Sequence, residues 1–329
     1  MQILNLSGYG INVHVDGGKL VVRDGNSYEK EPLEQRFRRK MLTFDKLVIH
    51  GNTGSITIPA IRWLMRQKRD IAILDWNGRL ITSLSPMVAN QGLVKLAQYQ
   101  AHADPKKQAK IAQWIIKQKI EGIFRVLDWI KSEYPDFSYN KNMDKISSEI
   151  DKANDLRSVL RIESITSQHY WNMLSSVFDK KWEFISRNFG DNKDSKDADD
   201  PVNALFNYGY AILESECWKV VNTVGLEPYI GFIHKTHTNR APLIYDLQEP
   251  FRWIIEMSIL KILHEKKVKK TDFMTTDEGN VRLKPSAVKI VLDEIGKQFG
   301  TKVNYKGMMR EWQTMILIKT REMMRIFDC

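Results

Sequence analysis

Between Ile3 and about Leu84 the apolar residues fall in short runs with a period near two, Ile11–Val15, Leu20–Arg23, Leu47–His50, Ile71–Leu74 and Leu80–Leu84, split by Asp16-Gly17-Gly18, Asp24-Gly25 and Asn77-Gly78. Alternation gives a strand one apolar face, and a glycine after Asp or Asn supplies the positive φ of a tight hairpin. The pattern predicts a small β-rich, sandwich-like domain over residues 1–86. One helix interrupts it, opened by Thr57-Ile58-Pro59 and running to about Lys68, with proline in the first turn where its missing N–H costs nothing.

After Ser85-Pro86 the apolar spacing widens toward that of a helix. The remainder, 87–329, is expected to be a larger all-α domain, so the fold class is α+β. Pro105–Tyr134 sets Ile111, Ile115, Gln118–Lys119, Gly122, Val126 and Ile130 in one helical register, with Lys106, Lys107, Lys110 and Lys117 mostly off that stripe. A further helix covers about Ala153–Phe178. The polar segment Asp191–Asp200 is expected to be a flexible surface loop. Met274–Leu283 predicts a small hairpin around Glu278-Gly279, and Pro285–Phe299 and Gly307–Phe327 predict two last helices.

Charge sharpens this picture. Fifty Lys and Arg against 40 Asp and Glu give a net +10, and a pI of about 9.3 suits a nucleic-acid partner. The excess clusters at Arg36–Arg38–Arg39–Lys40, at Lys106, Lys107, Lys110, Lys117 and Lys119, and at Lys266–Lys267–Lys269–Lys270. A charge run on a helix is more often simply a solvated face. Only two cysteines, Cys217 and Cys329, occur, too few for a disulfide framework or a cysteine zinc site. With no signal segment and no apolar run of about 18 residues, a soluble, cytoplasmic protein without a membrane partner is expected. The chain lacks a Walker loop, a GxGxxG entering a helix, HExxH and GxSxG, which removes the usual support for nucleotide hydrolysis, dehydrogenation and triad hydrolysis.

The candidate chemistry lies in four residues. On the helix before the polar segment the apolar stripe Leu156, Val159–Leu160, Thr166, Tyr170, Leu174 and Val177 is broken by Glu163. A carboxylate on a core-facing position must be paired, by an arginine for instance, or bound to a metal. Asp246 and Glu249 stand three apart at an expected helix start, where they could face one point or could form a capping box. His234 ends the run Tyr229–Ile233. Carboxylates with one imidazole suit Mg2+ or Mn2+ better than zinc.

These residues sit in segments that resemble a known family, the Cas integrase of CRISPR spacer acquisition, CRISPR-associated protein one. The segments are DPVNALFNYGYAILE at 200–214, GLEPYIGFIH at 225–234, APLIYDLQEPFR at 241–252 and the Glu163 helix with its His-Tyr-Trp, supported by the opening strands, ITIPAIRWL and EGNVRLKPSA. The resemblance implies a metal site of Glu163, His234 and Glu249, with Asp246 as a possible further ligand, in an N-terminal β and C-terminal helical architecture. It implies a homodimer joined through the β domains, assembly with Cas protein two, and binding of double-stranded and branched DNA. The implied activity is that of a metal-dependent DNA endonuclease and integrase, in which a DNA 3′-hydroxyl attacks a phosphodiester of the repeat. A casposon-type transposase is the alternative that shares the site; it usually carries extra DNA-binding sequence, and an ending soon after Phe327 weighs against it. A non-catalytic DNA-binding scaffold is the other.

Overall fold

The computed structural model describes residues 1–329 apart from 27–31, 52, 87–91, 138–141, 188–197, 235–240 and 328–329. The alternating N-terminal runs form β1 (Ile3–Ser7), β2 (Ile11–Asp16), β3 (Lys19–Arg23), β4 (Glu34–Phe37), β5 (Lys46–His50), β6 (Gly54–Ile56), β7 (Asp70–Leu74) and β8 (Leu80–Leu84). The β2–β3 hairpin turns on Gly17 and Gly18 at φ 52° and 76°, the double positive φ of a two-residue loop. Helix α1 (Ile58–Arg66) is capped by the Thr57 side chain, which accepts from Ala60 N–H.

Hairpins account for only part of the pairing. One sheet runs β1-β5-β7-β8 and the other β4-β3-β2-β6, with β1, β5 and β7 mutually parallel and α1 lying in the chain between β6 and β7. Leu6, Leu47, Ile49 and Ile71 of the first sheet pack with Ile11, Val13, Leu20 and Val22 of the second and with Trp63 and Leu64 of α1. Val48, Ala72 and Leu74 point from the opposite face into the helical core. The first sheet is therefore buried on both sides, as parallel strands usually are.

The other part is mostly helical: α2 (Gly92–Ala103), α3 (Pro105–Glu133), α4 (Asn142–Ser148), α5 (Leu156–Ser175), α6 (Pro201–Val224), α7 (Pro242–Gln248), α8 (Arg252–His264), α9 (Pro285–Gly300) and α10 (Trp312–Met324). It is not all-α. The hairpin β9 (Phe273–Thr275) with β10 (Val281–Leu283) stands where the pattern puts it, and a second, β11 (Lys302–Tyr305) with β12 (Met308–Glu311), replaces the expected start of the last helix. Lys306 and Gly307 turn there with φ 52° and 81°, which no helix accommodates, so α10 begins five residues late. Most of the polar segment expected as a surface loop, and the residues just after Pro86, lie outside the described residues.

A buried charge network joins the two parts. Lys46 shares the Val48 face of β5 and so enters the interface, where it pairs with Glu216 of α6; both side chains are almost fully buried. Lys219, one turn along α6, reaches Asp70 of β7 at 2.5 Å.

Candidate metal centre

Pro250 organises the segment that carries the acidic pair. Without an N–H it cannot bond the Asp246 carbonyl, so α7 stops at Gln248 and a single 3-10 turn, Glu249–Phe251, leads into α8. The N-cap of α7 is Ala241, which places Asp246 in the last turn of that helix. The capping-box reading of Asp246 and Glu249 is therefore incorrect, because the helix that carries Asp246 has already started at Pro242.

Asp246 does something else with its carboxylate. Fully buried, it accepts backbone N–H bonds from Phe232 (2.5 Å), Ile233 (3.2 Å) and His234 (3.0 Å), and its Oδ1 lies 2.7 Å from His234 Nδ1. Three amides and an imidazole occupy its oxygens, so it anchors the His234 loop instead of facing an open site. With Nδ1 committed, Nε2 is the ring nitrogen left for another partner, the arrangement that orients metal-binding histidines. Burial works to discharge His234, but the Asp246 contact prevails and raises its pKa above the ordinary histidine value.

Glu163 and Glu249 meet at a lysine. Lys119, on the inward stripe of α3, places Nζ 2.5 Å from Glu163 Oε1 and 2.7 Å from Glu249 Oε2. Ser167, one turn after Glu163 on α5, donates to Glu163 Oε1 at 2.8 Å. Arg252 at the start of α8 donates to Glu249 Oε1 at 3.2 Å while its guanidinium lies 4.3 Å over the Tyr210 ring. Burial opposes the Glu249 charge, but Lys119 and then Arg252 outweigh it and hold its pKa at about 2. Glu256, one turn beyond Arg252, receives hydroxyl bonds from Tyr170 (2.7 Å) and Tyr210 (2.9 Å), so Tyr170 is tied to the carboxylate layer behind the site.

Close helix packing makes this meeting possible. A Cβ on Gly122, three residues after Lys119, would stand 2.4 Å from Trp253; its absence lets α3 press against the start of α8, directly after the turn that bears Glu249.

Sequence reasoning brings Glu163, His234, Asp246 and Glu249 into view but misses Lys119, Arg252 and Ser167 as partners of the carboxylates. Their signals are a lysine inside an apolar stripe, and an arginine and a serine three or four residues from a carboxylate. Glu163 itself sits at the edge of its stripe, 24% exposed, with Val159, Ile162, Thr166, Tyr170 and Met173 carrying the burial. Its neutralising partner is a lysine, not the arginine that a salt-bridge reading suggests.

The donor set fits a divalent cation in part. Two oxygens that both touch one ammonium nitrogen can both touch one metal ion, and Glu249 Oε2 is a buried acceptor whose contact with Lys119 lacks hydrogen-bond alignment. Among the described residues no three His, Cys, Asp or Glu side chains already stand together as a metal cage. His234 stands close enough to the pair for its charge to act on Glu249. The basic clusters are partly self-neutralised: Arg36 pairs with Asp16 and Glu34, Lys117 with Asp151, Lys267 with Glu265 and Glu294, and Lys270 with Glu183. Among the described residues no helix is long and apolar enough to cross a membrane.

Residues 4–297 match the profile of the family described as CRISPR associated protein Cas1. The chain is 28% identical to the CRISPR-associated endonuclease Cas1 1 of Archaeoglobus fulgidus, over 97% of this chain and 94% of that protein. It is 26% identical to its namesake from Methanospirillum hungatei, over 93% and 90%. Among solved structures, a casposase bound to its integration product superposes with a TM-score of 0.91 at 34% identity, covering 99% of this chain and 90% of that one. A CAS1 protein of Thermotoga maritima, 14% identical, shares the fold with a TM-score of 0.78 over 100% and 97%.

Proposed function

The chain belongs to the Cas1 family of CRISPR-associated proteins, and from that premise we propose that it is a divalent-metal-dependent DNA endonuclease and integrase that joins a DNA 3′-hydroxyl to a phosphodiester of a CRISPR repeat. The observation that carries the reading is the convergence of Glu163 and Glu249, from different elements, on one cationic point beside a histidine already oriented by a buried carboxylate. Glu163, Glu249 and Nε2 of His234 would hold Mg2+ or Mn2+, and Asp246 would hold His234. When bound, the ion supplies Lewis-acid polarisation of the scissile phosphate and offsets charge at the leaving oxygen.

The chain's own groups do the rest. Asp246 keeps the His234 proton on Nδ1, leaving Nε2 a donor of its lone pair. Arg252, braced by Tyr210 and Glu249, fixes the Glu249 carboxylate. The new phosphodiester forms as the old one breaks, and the displaced strand leaves with a 3′-hydroxyl, so no external energy source is needed. Surface lysines and arginines hold the DNA backbones through phosphate contacts. Assembly as a homodimer through the β domains and with Cas protein two is part of the same proposal.

A second reading, a casposon-type transposase, is supported by the 34% identity with the casposase. A transposase of that type would use the same residues on different DNA. Incubating the protein with a branched duplex and Mn2+, with and without chelator, and with Glu163→Ala in parallel tests the enzyme reading; strand transfer that survives both controls refutes it. Target choice, a repeat array or DNA flanked by terminal inverted repeats, separates the two integrases.

A further inference from the structure

Metal chemistry does not call for the lysine at the centre of the carboxylate cluster, Lys119. It lies on the apolar stripe of α3 between Ile115 and Gly122, with its side chain 14% exposed, and its ammonium stands between Glu163 and Glu249. Burying a lysine among isoleucines is costly unless the charge is paired. Two carboxylates turned toward each other are costly for the same reason, and one of them would take up a proton. The ammonium settles both problems at once, in the place where a divalent ion would be held.

We infer that Lys119 is a displaceable internal counter-cation, a positioning residue that preforms the two-carboxylate part of the metal centre and is exchanged for the divalent ion when that ion binds. The inference rests on the metal reading given above and deepens it. Distances favour exchange over co-residence. Nitrogen–oxygen contacts of 2.5 and 2.7 Å need to shorten by only about half an ångström to become metal–oxygen bonds, and no room is left between the oxygens for both cations. The two carboxylates face a cation both before and after the exchange. Ser167 and Arg252 keep their hold on Glu163 and Glu249 during the exchange. The displaced ammonium has an open side to move toward, because Glu163 is 24% and His234 43% exposed.

The test reads metal affinity and lysine reactivity rather than catalysis. Mn2+ is titrated by calorimetry into the full chain, wild type and Lys119→Met, at neutral pH and fixed salt. Exchange predicts that the variant binds Mn2+ roughly ten- to a hundredfold tighter, because binding no longer breaks a charge-assisted hydrogen bond. It also predicts that saturating Mn2+ raises the rate at which wild-type Lys119 reacts with a small amine-acylating reagent, read by peptide mass spectrometry, while Lys46 stays protected. The second measurement decides the matter should Lys119→Met not fold. Equal or weaker binding in the variant, or Lys119 labelling that Mn2+ leaves unaltered, overturns the exchange and leaves the metal site standing. Absence of Mn2+ binding in wild type and variant alike overturns the metal reading itself.

Discussion

Asp246 grips His234 twice, accepting its backbone N–H at 3.0 Å and facing its Nδ1 at 2.7 Å with the same oxygen. The grip separates the two carboxylates three residues apart into an anchor and a proposed ligand, Asp246 holding the His234 loop and Glu249 facing Lys119. Asp246→Asn should therefore cost stability as well as activity, about 2 kcal/mol or more in urea denaturation, since an amide must turn an N–H toward at least one of the donors that the carboxylate accepts from. Unchanged stability in Asp246→Asn would return Asp246 to the candidate ligands.

Glu249→Gln and Glu163→Ala should each lower strand transfer by at least about a hundredfold, the scale expected when electrostatic stabilisation is withdrawn from a transition state. Lys119 and Arg252 each lose a counter-charge in Glu249→Gln, so a modest loss of metal-free stability, about 1–3 kcal/mol, accompanies it. Glu163→Ala should not gain stability, because in the folded chain this carboxylate is already neutralised by Lys119. Integration gels and thermal melts in chelator check both halves.

The raised pKa of His234 has a sign that can be followed. Its protonated form is favoured by the fold, a contribution present below the unfolded value of about 6.5 and lost as pH rises through the higher folded value. A metal needs the neutral ring, so Mn2+ affinity should fall as pH drops through that higher value, with bound metal drawing the transition down. Asp246→Asn removes the cause and should move the midpoint to lower pH while weakening binding at alkaline pH. Calorimetric titrations between about pH 5.5 and 8.5, a range set about the ordinary histidine value, give the comparison, and identical midpoints would sink the assignment.

Between β5 and α6, burial opposes the charge of Glu216 but Lys46 outweighs it and lowers its pKa to about 2. A depressed carboxylate stabilises the fold above its unfolded value near 4.5, and that contribution, about 3 kcal/mol, is lost as pH falls from there toward 2. Glu216→Ala strands a buried ammonium and should cost about 3–5 kcal/mol at neutral pH, whereas Lys46→Met with Glu216→Leu should recover most of it. Denaturation curves at neutral pH and at about pH 3 for wild type and the pair separate the charge from the packing.

DNA affinity should fall steeply with salt. Neutralising Lys106, Lys107 and Lys110 together should flatten log K against log salt by up to about 0.9 for each phosphate that these lysines neutralise. An unchanged slope means that this end of α3 faces solvent alone.

Local pattern determined much of this protein. The strands β2, β3, β5, β7 and β8, the helices α1, α3, α5 and α9, the β9–β10 hairpin and the acidic residues interrupting or following apolar runs all follow from periodicity and turn chemistry, which act within a few residues. Tertiary structure decided which strands are neighbours, since β1, β5 and β7 lie parallel although far apart in sequence, and it turned 302–311 into a hairpin where a helix was expected at its end. It also decided the partners of every buried charge. A lysine on an apolar stripe reads the same whether it snorkels to water or joins two carboxylates, because the cost of burial is set by groups brought in from α5 and the Glu249 turn. Likewise, Asp246 looks like a cap until α7 is seen to begin at Pro242 and the amides of Phe232, Ile233 and His234 are seen to point at it. Periodicity records which faces are buried; only the folded chain brings together, across long sequence separations, the opposite charges and amides that make burying a charge tolerable.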